Sequence, residues 1–129
     1  MCDNPGHYSP LALAFLGDAV FGLLVRERLL LEANRPAAKL HRESIKQVNA
    51  AAQALAAKKI LPRLTEEEAA VLRRGQNAKP AHVASGCTRE EYARATALEA
   101  LFGWLWLMGR FERARELFVV GAACQPPAE

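Results

Sequence analysis

Two acids stand in stretches of sequence where acids are expensive. Between Leu11 and Val25 the only charged residue is Asp18, and between Ala95 and Met108 the only one is Glu99. A lone buried carboxylate costs several kcal/mol unless it is paired, protonated or bound to a cation. The neighbours of Asp18 at helical spacing are small, Ala14 four residues before it and Gly22 four after, and Gly17 and Ala19 flank it directly. Small residues leave room for water, an ion or another backbone. Two readings fit these residues. In one, each acid is structural and is satisfied by Arg26, Arg94 or the Thr96 hydroxyl. In the other, the pair is a divalent-metal site, because magnesium takes oxygen ligands, keeps several waters and needs only one or two protein carboxylates plus substrate phosphate. Such a site could activate water and stabilise a phosphoryl transition state. The residue types alone leave both readings open.

The elements that must position these acids read as helices. Ser9-Pro10 is a helix start, an N-cap hydroxyl followed by proline at the first helical position. The pattern predicts a first helix from about Pro10 to Leu31, broken by Asn34-Arg35-Pro36. A second helix is expected over Ala37 to Lys59, with Ile45, Val48, Ala52 and Leu55 on its apolar side and Lys39, Arg42, Lys46, Asn49 and Gln53 on a basic, amide-bearing side. Pro62 ends it. Thr65-Glu66-Glu67-Glu68 is a capping box opening a short helix to about Arg74, with Gly75 as its C-cap and a loop from Gly75 to Cys87. A second capping box, Thr88 to Glu91, opens a helix to about Met108 that Gly109 closes, and a last amphipathic helix runs from about Phe111 to Val120, stopping at Gly121. No strand, repeat or low-complexity segment is evident. The expectation is one all-α domain over residues 9–121, with flexible ends at 1–8 and 122–129.

Bulk properties agree. A chain of 129 residues can bury a real core without staples. It is 51% hydrophobic but only 7% aromatic, which suits packed helices. The net charge of +3 and a pI of about 9.0 lean mildly toward anionic partners. Three cysteines, Cys2, Cys87 and Cys124, are odd in number and far apart, which disfavours a disulfide framework or a zinc site and favours a reducing cytoplasm. The N-terminus is polar, so no secretion signal is expected. The apolar run Leu11 to Val25 is shorter than the ~20 residues that span a bilayer.

The segment Ala14-Phe15-Leu16-Gly17-Asp18-Ala19-Val20 resembles the signature helix of the ribonuclease III family. The resemblance is closer to Mini-ribonuclease III, the bacterial branch without a separate double-stranded RNA-binding domain. Three further segments are similar to that branch in the right order: Leu40-His41 through Gln53-Ala54, then Arg73-Arg74-Gly75-Gln76-Asn77-Ala78-Lys79, then Tyr92-Ala93-Arg94 through Thr96 to Gly103. The resemblance implies an all-helical ribonuclease III catalytic fold working as a homodimer. It implies magnesium-dependent cleavage of double-stranded RNA, with Mn2+ able to substitute, leaving 5′-phosphate and 3′-hydroxyl ends. It implies precursor large-subunit ribosomal RNA as substrate, and leaves room for an accessory ribosomal protein. By matching positions, Asp18 and Glu99 become the metal-binding catalytic carboxylates. A non-catalytic RNA-binding relative is the alternative, against which retention of both acids argues.

The departures thin the site. Leu11, Ala14 and Thr96 stand where larger ribonuclease III enzymes carry further acids, and Gly22 stands where the smaller branch often has one. Gln76 replaces a usual arginine. Without a second domain, the catalytic domain must hold the duplex itself, and A-form RNA is recognised mainly through phosphates and 2′-hydroxyls. The side chains with that chemistry are His41, Arg42, Lys46 and Gln53 on the second helix, Arg73, Arg74, Gln76, Asn77 and Lys79 on the basic loop, and Arg94. Of these, His41 also fits a buried role and Arg94 also fits pairing with Glu90 or Glu91. Trp104 and Trp106 read first as core. One of them, with Phe15 and Phe21, is a candidate for the dimer interface.

Overall fold

The computed structural model describes residues 7–78 and 87–122. Among them it is all-α. The helices are α1 (Pro10–Glu32), α2 (Ala37–Val48), α3 (Ala50–Ile60), α4 (Glu66–Gln76), α5 (Arg89–Leu107) and α6 (Phe111–Ala122), with a short 3-10 turn at Leu61–Arg63. The flexibility expected of 1–8 and 122–129 concerns residues that, apart from 7, 8 and 122, lie outside the described ones.

α5 is the axis of the molecule. Its sequence is apolar on every side after its first turns, and a helix of that kind is buried. Leu98, Leu101 and Leu105 are wholly inaccessible. α1, α3 and α4 pack around it, and α6 closes against α3 and the end of α5. Phe21 of α1 sits edge-on between Phe102 and Phe118, 5.5 Å from each ring centre, so Phe21 is a core residue and not an interface one. Trp104 is buried under the Arg110 guanidinium, and Trp106 meets Phe111 at an interplanar angle of 53°, with ring centres 4.4 Å apart. Gly109, at φ 75°, makes the turn between α5 and α6.

The caps at Ser9, Thr65 and Thr88 form as the sequence predicts. Ser9 accepts from the Ala12 N–H, and both capping boxes are complete. The second capping box starts α5, which carries Glu99. The first does more than start α4. Glu68 is buried, and its carboxylate also takes two hydrogen bonds from Arg113 of α6, each at 2.8 Å. Arg113 donates again to the Arg63 carbonyl. This clamp ties the start of α4 to α6. Arg113 in turn holds the Glu68 carboxyl below the ordinary glutamate range.

Two local expectations change. The helix expected over Ala37 to Lys59 is two helices, broken at Asn49. The Asn49 side chain caps both: its Nδ2 donates to the Ile45 and Lys46 carbonyls at 3.2 and 3.1 Å, and its Oδ1 accepts from the Ala52 N–H at 2.9 Å. The apolar side expected across this stretch holds at Val48, which packs against the core, but not at Ile45 or Leu55. Ile45 and Leu55 are exposed, whereas Ser44, Gln53, Ala54, Ala56, Ala57 and Ile60 are buried. Gly75 is not a C-cap either. It lies inside the last turn of α4, where a Cβ would come within 2.8 Å of the Ala97 Cα, and Asn77 caps the helix instead.

Candidate active site

Asp18 and Glu99 meet because α1 and α5 cross on glycine. A Cβ on Gly17 would lie 1.5 Å from the Glu99 carbonyl oxygen, and one on Gly103 would lie 2.0 Å from the Leu13 carbonyl oxygen. The two backbones are in direct contact, and that contact is one residue from Asp18 and at Glu99 itself. Main-chain contact therefore sets how close the two helices that carry the acids approach.

Their environments differ. Asp18 is exposed, so the expectation of two buried acids is wrong for it. It lies one residue from the crossing, on the exposed side of α1. Glu99 is largely covered. Burial pushes its carboxyl up to about 8, with the Asp18 hydrogen bond and the Asp18 charge adding to that rise, against the Gln53 amide, which lowers it. None of Arg26, Arg94 or Thr96 bonds to either acid; Arg94 pairs with Glu90 at 2.6 Å instead, as one of its two expected roles required. The structural-acid reading thus loses its partners. What remains is two carboxylates in contact, which disfavour being charged together unless a cation joins them.

The donor set fits a hard divalent cation. Both ligands are carboxylate oxygens, they converge, and the Asp18 side opens to water that can fill further coordination positions. No group of three or more His, Cys, Asp or Glu side chains able to hold a metal occurs among the described residues. Ala14, buried, and Thr96, buried, add no charge. Gly22 leaves space that the Arg26 guanidinium enters, its Nη1 2.7 Å from where a Cβ would be.

The expected RNA-facing residues divide. Arg42, Lys46 and His41 are exposed on α2, and His41 lines a 240 Å³ cavity with Arg26, Leu40 and Ser44. Arg73, Arg74, Gln76 and Asn77 are exposed on the last turns of α4 and its cap. Gly75 docks that turn against Ala97 and Ala100, at the level of Glu99 along α5. Lys79 lies outside the described residues. Gln53 does not belong with these. It is 3% exposed and points inward, its Nε2 donating to Glu99 Oε2 at 3.5 Å. The sequence held a signal for this: Gln53 is a polar side chain among alanines, as anomalous there as Asp18 and Glu99 are in their own helices.

Fold and site together define a small all-helical domain presenting a carboxylate pair at a helix crossing, beside exposed arginines. The ribonuclease III domain family model matches residues 11–110. The chain is 44% identical to the Mini-ribonuclease 3 of a Thermoanaerobacter species over 84% of this chain and 77% of that one. It is 43% identical to the Mini-ribonuclease 3 of Symbiobacterium thermophilum over 92% of both chains. A crystal structure of a Fusobacterium nucleatum protein superposes with a TM-score of 0.80 at 35% identity, covering 91% of this chain and 93% of that one. The chain belongs to the Mini-ribonuclease III branch of the ribonuclease III family.

Proposed function

We propose that this protein is a divalent-metal-dependent endoribonuclease that cuts double-stranded RNA, with Asp18 and Glu99 as its metal-binding catalytic carboxylates. The observation that carries the reading is the meeting of these two acids, without a basic partner, at the Gly17–Gly103 crossing. Mg2+, with Mn2+ as a substitute, is the ion that such an oxygen site suits; when bound it supplies positive charge for a phosphoryl transition state and promotes ionisation of water. Asp18 and Glu99 hold and orient that charge. Glu99 must give up its proton to do so, and the Gln53 N–H favours the ionised form. Water adds to phosphorus and the bond to the 3′-oxygen breaks, leaving 5′-phosphate and 3′-hydroxyl ends. Arg73 and Arg74, with Arg42 and Lys46, bind backbone phosphates of the duplex. His41, Gln76, Asn77 and Lys79 add hydrogen bonds, while Arg94 stays with Glu90.

The biological form in this reading is a homodimer. Leu11, Phe15, Leu23 and Leu30 form an exposed apolar strip along α1, with Phe15 84% exposed. A strip of that kind marks a protein contact, and Asp18 lies at its edge. The proposed cellular substrate is precursor large-subunit ribosomal RNA in the cytoplasm, with an accessory ribosomal protein as a further partner. No described helix is long and apolar enough to cross a membrane.

The test is incubation with long double-stranded RNA, with Mg2+ and with EDTA. Cleavage that needs Mg2+ and disappears in Asp18→Asn, with duplex binding retained, is expected. No Mg2+-dependent cleavage at any salt concentration would refute the reading.

A further inference from the structure

Gln53 is a buried amide in a place where an apolar side chain would pack as well. Six of the eleven residues of its helix are alanine, and Ala54, Ala56 and Ala57 are buried beside it. Among the described residues, its amide meets the Glu99 side chain, at Oε2. A buried amide is tolerated only where it meets a partner, so the position is committed to that contact. The mount is rigid. The Gln53 N–H bonds to the Asn49 carbonyl at 3.0 Å, and Asn49 is the residue whose side chain caps both α2 and α3.

We propose that Gln53 is a positioning residue for Glu99: its amide, fixed by the Asn49 cap, holds the carboxylate turned toward Asp18 so that the pair can take a divalent cation without rearrangement. The inference rests on the metal-site reading above. A contact of 3.5 Å is at the outer limit of hydrogen bonding, so its loss should change stability little, and the role assigned to it is the orientation of the carboxylate. Groups that orient a metal ligand from behind commonly set its affinity for the ion. The same geometry removes Gln53 from the RNA surface, since a side chain 3% exposed cannot reach a phosphate.

Gln53→Met keeps the volume and the burial and deletes the amide. Three readouts are taken on the full chain: Mn2+ binding without RNA, followed by electron paramagnetic resonance; duplex RNA binding in EDTA; and thermal melting in EDTA. The expected result is Mn2+ binding weakened about tenfold, with duplex binding unchanged and melting within about 2 °C of wild type. Cleavage should fall at limiting Mg2+ and recover as Mg2+ is raised. Unchanged Mn2+ affinity would overturn the assignment. So would loss of duplex binding in EDTA, which would make Gln53 an RNA contact, or a large fall in melting with Mn2+ affinity retained, which would make it purely structural. If Gln53→Met does not fold, Gln53→Asn, which withdraws the same amide by one methylene, carries the same readouts. Wild-type protein that neither binds Mn2+ nor cuts with Mg2+ would instead sink the metal-site reading itself.

Discussion

Adding one methyl group at Gly17 should be among the most damaging small changes this chain can suffer. The Cβ of alanine there would sit 1.5 Å from the Glu99 carbonyl oxygen, 2.4 Å from its carbon and 2.9 Å from the Gly103 nitrogen. All three are main-chain atoms of α5, so none can rotate aside. Ordinary contact needs roughly 3.5 Å, and α1 and α5 must therefore part by about 2 Å at their crossing. A gap of even 0.5–1 Å forfeits roughly a quarter to a half of each dispersion contact, and Leu13, Phe21, Leu98 and Phe102 all pack close to this seam. Overpacking commonly costs about 1–3 kcal/mol. A backbone-to-backbone clash belongs above that range, at about 4 kcal/mol after the ~1 kcal/mol helix gain of alanine over glycine. For a chain of this size that lowers Tm by roughly 10–20 °C. Gly22→Ala is the control, since its Cβ meets only the flexible Arg26 guanidinium. It should be neutral or stabilising by up to about 1 kcal/mol. Circular dichroism melts in EDTA measure both. A Gly17→Ala protein that melts with the wild type, or a Gly22→Ala protein that is just as damaged, would refute the crossing and with it the placement of the acids.

Glu99 is protonated in the metal-free fold up to about pH 8 but only to about 4.5 in the unfolded chain, because burial first and Asp18 second raise it. The fold therefore holds the extra proton, and metal-free stability should fall as pH rises from about 4.5 to about 8. Glu99→Gln should flatten that slope and gain about 2–3 kcal/mol at pH 9, a figure reduced from about 5 for water access; urea unfolding in EDTA at pH 5 and pH 9 with an unchanged slope would contradict it. Glu68 has the opposite sign. Arg113 holds its carboxyl down, so the clamp's contribution is complete above the unfolded value of 4.5 and is lost as pH falls through the lower folded value. Glu68→Ala should cost about 2–4 kcal/mol at pH 7 and much less at low pH; equal losses at both would remove the ion pair from the explanation. Arg73→Ala and Arg74→Ala should each reduce the slope of log K against log salt for duplex binding by about 0.7–0.9, and an unaltered slope would take that residue off the RNA surface.

The helix starts were legible because a cap is local chemistry: Ser9, Thr65 and Thr88 each bond within three residues of themselves. The acids were legible as anomalies, since a single charge in an apolar helix stands out whatever it touches. The break at Asn49 was hidden because alanine and lysine continue a helical pattern straight through it. Only the asparagine's two capping directions, at 45–46 and at 52, reveal that one helix has become two. Reading one helix straight through that cap carried the apolar side on to Leu55 and the basic side on to Gln53, and neither extension holds. Asp18 was misjudged as buried for a different reason. Its apolar neighbours Leu11, Phe15 and Leu23 are exposed, so hydrophobic sequence around it did not mean a core around it. Gly75 was misread because a glycine near a helix end has two uses, a left-handed turn or a close approach, and only tertiary packing chooses between them.

The glycine crossing has a consequence for how this chain can change. Because Gly17 and Gly103 bring main chain against main chain, the spacing of the two acids is insensitive to which aliphatic groups fill the surrounding interior. Leucines, valines and phenylalanines there can drift, trade volume or be redesigned while the carboxylates keep their separation. The tolerance ends abruptly at two positions, where a single carbon atom moves both helices at once. Apart from Gln53, whose amide meets Glu99 directly, aliphatic variation in the interior leaves the crossing that carries the two carboxylates in place.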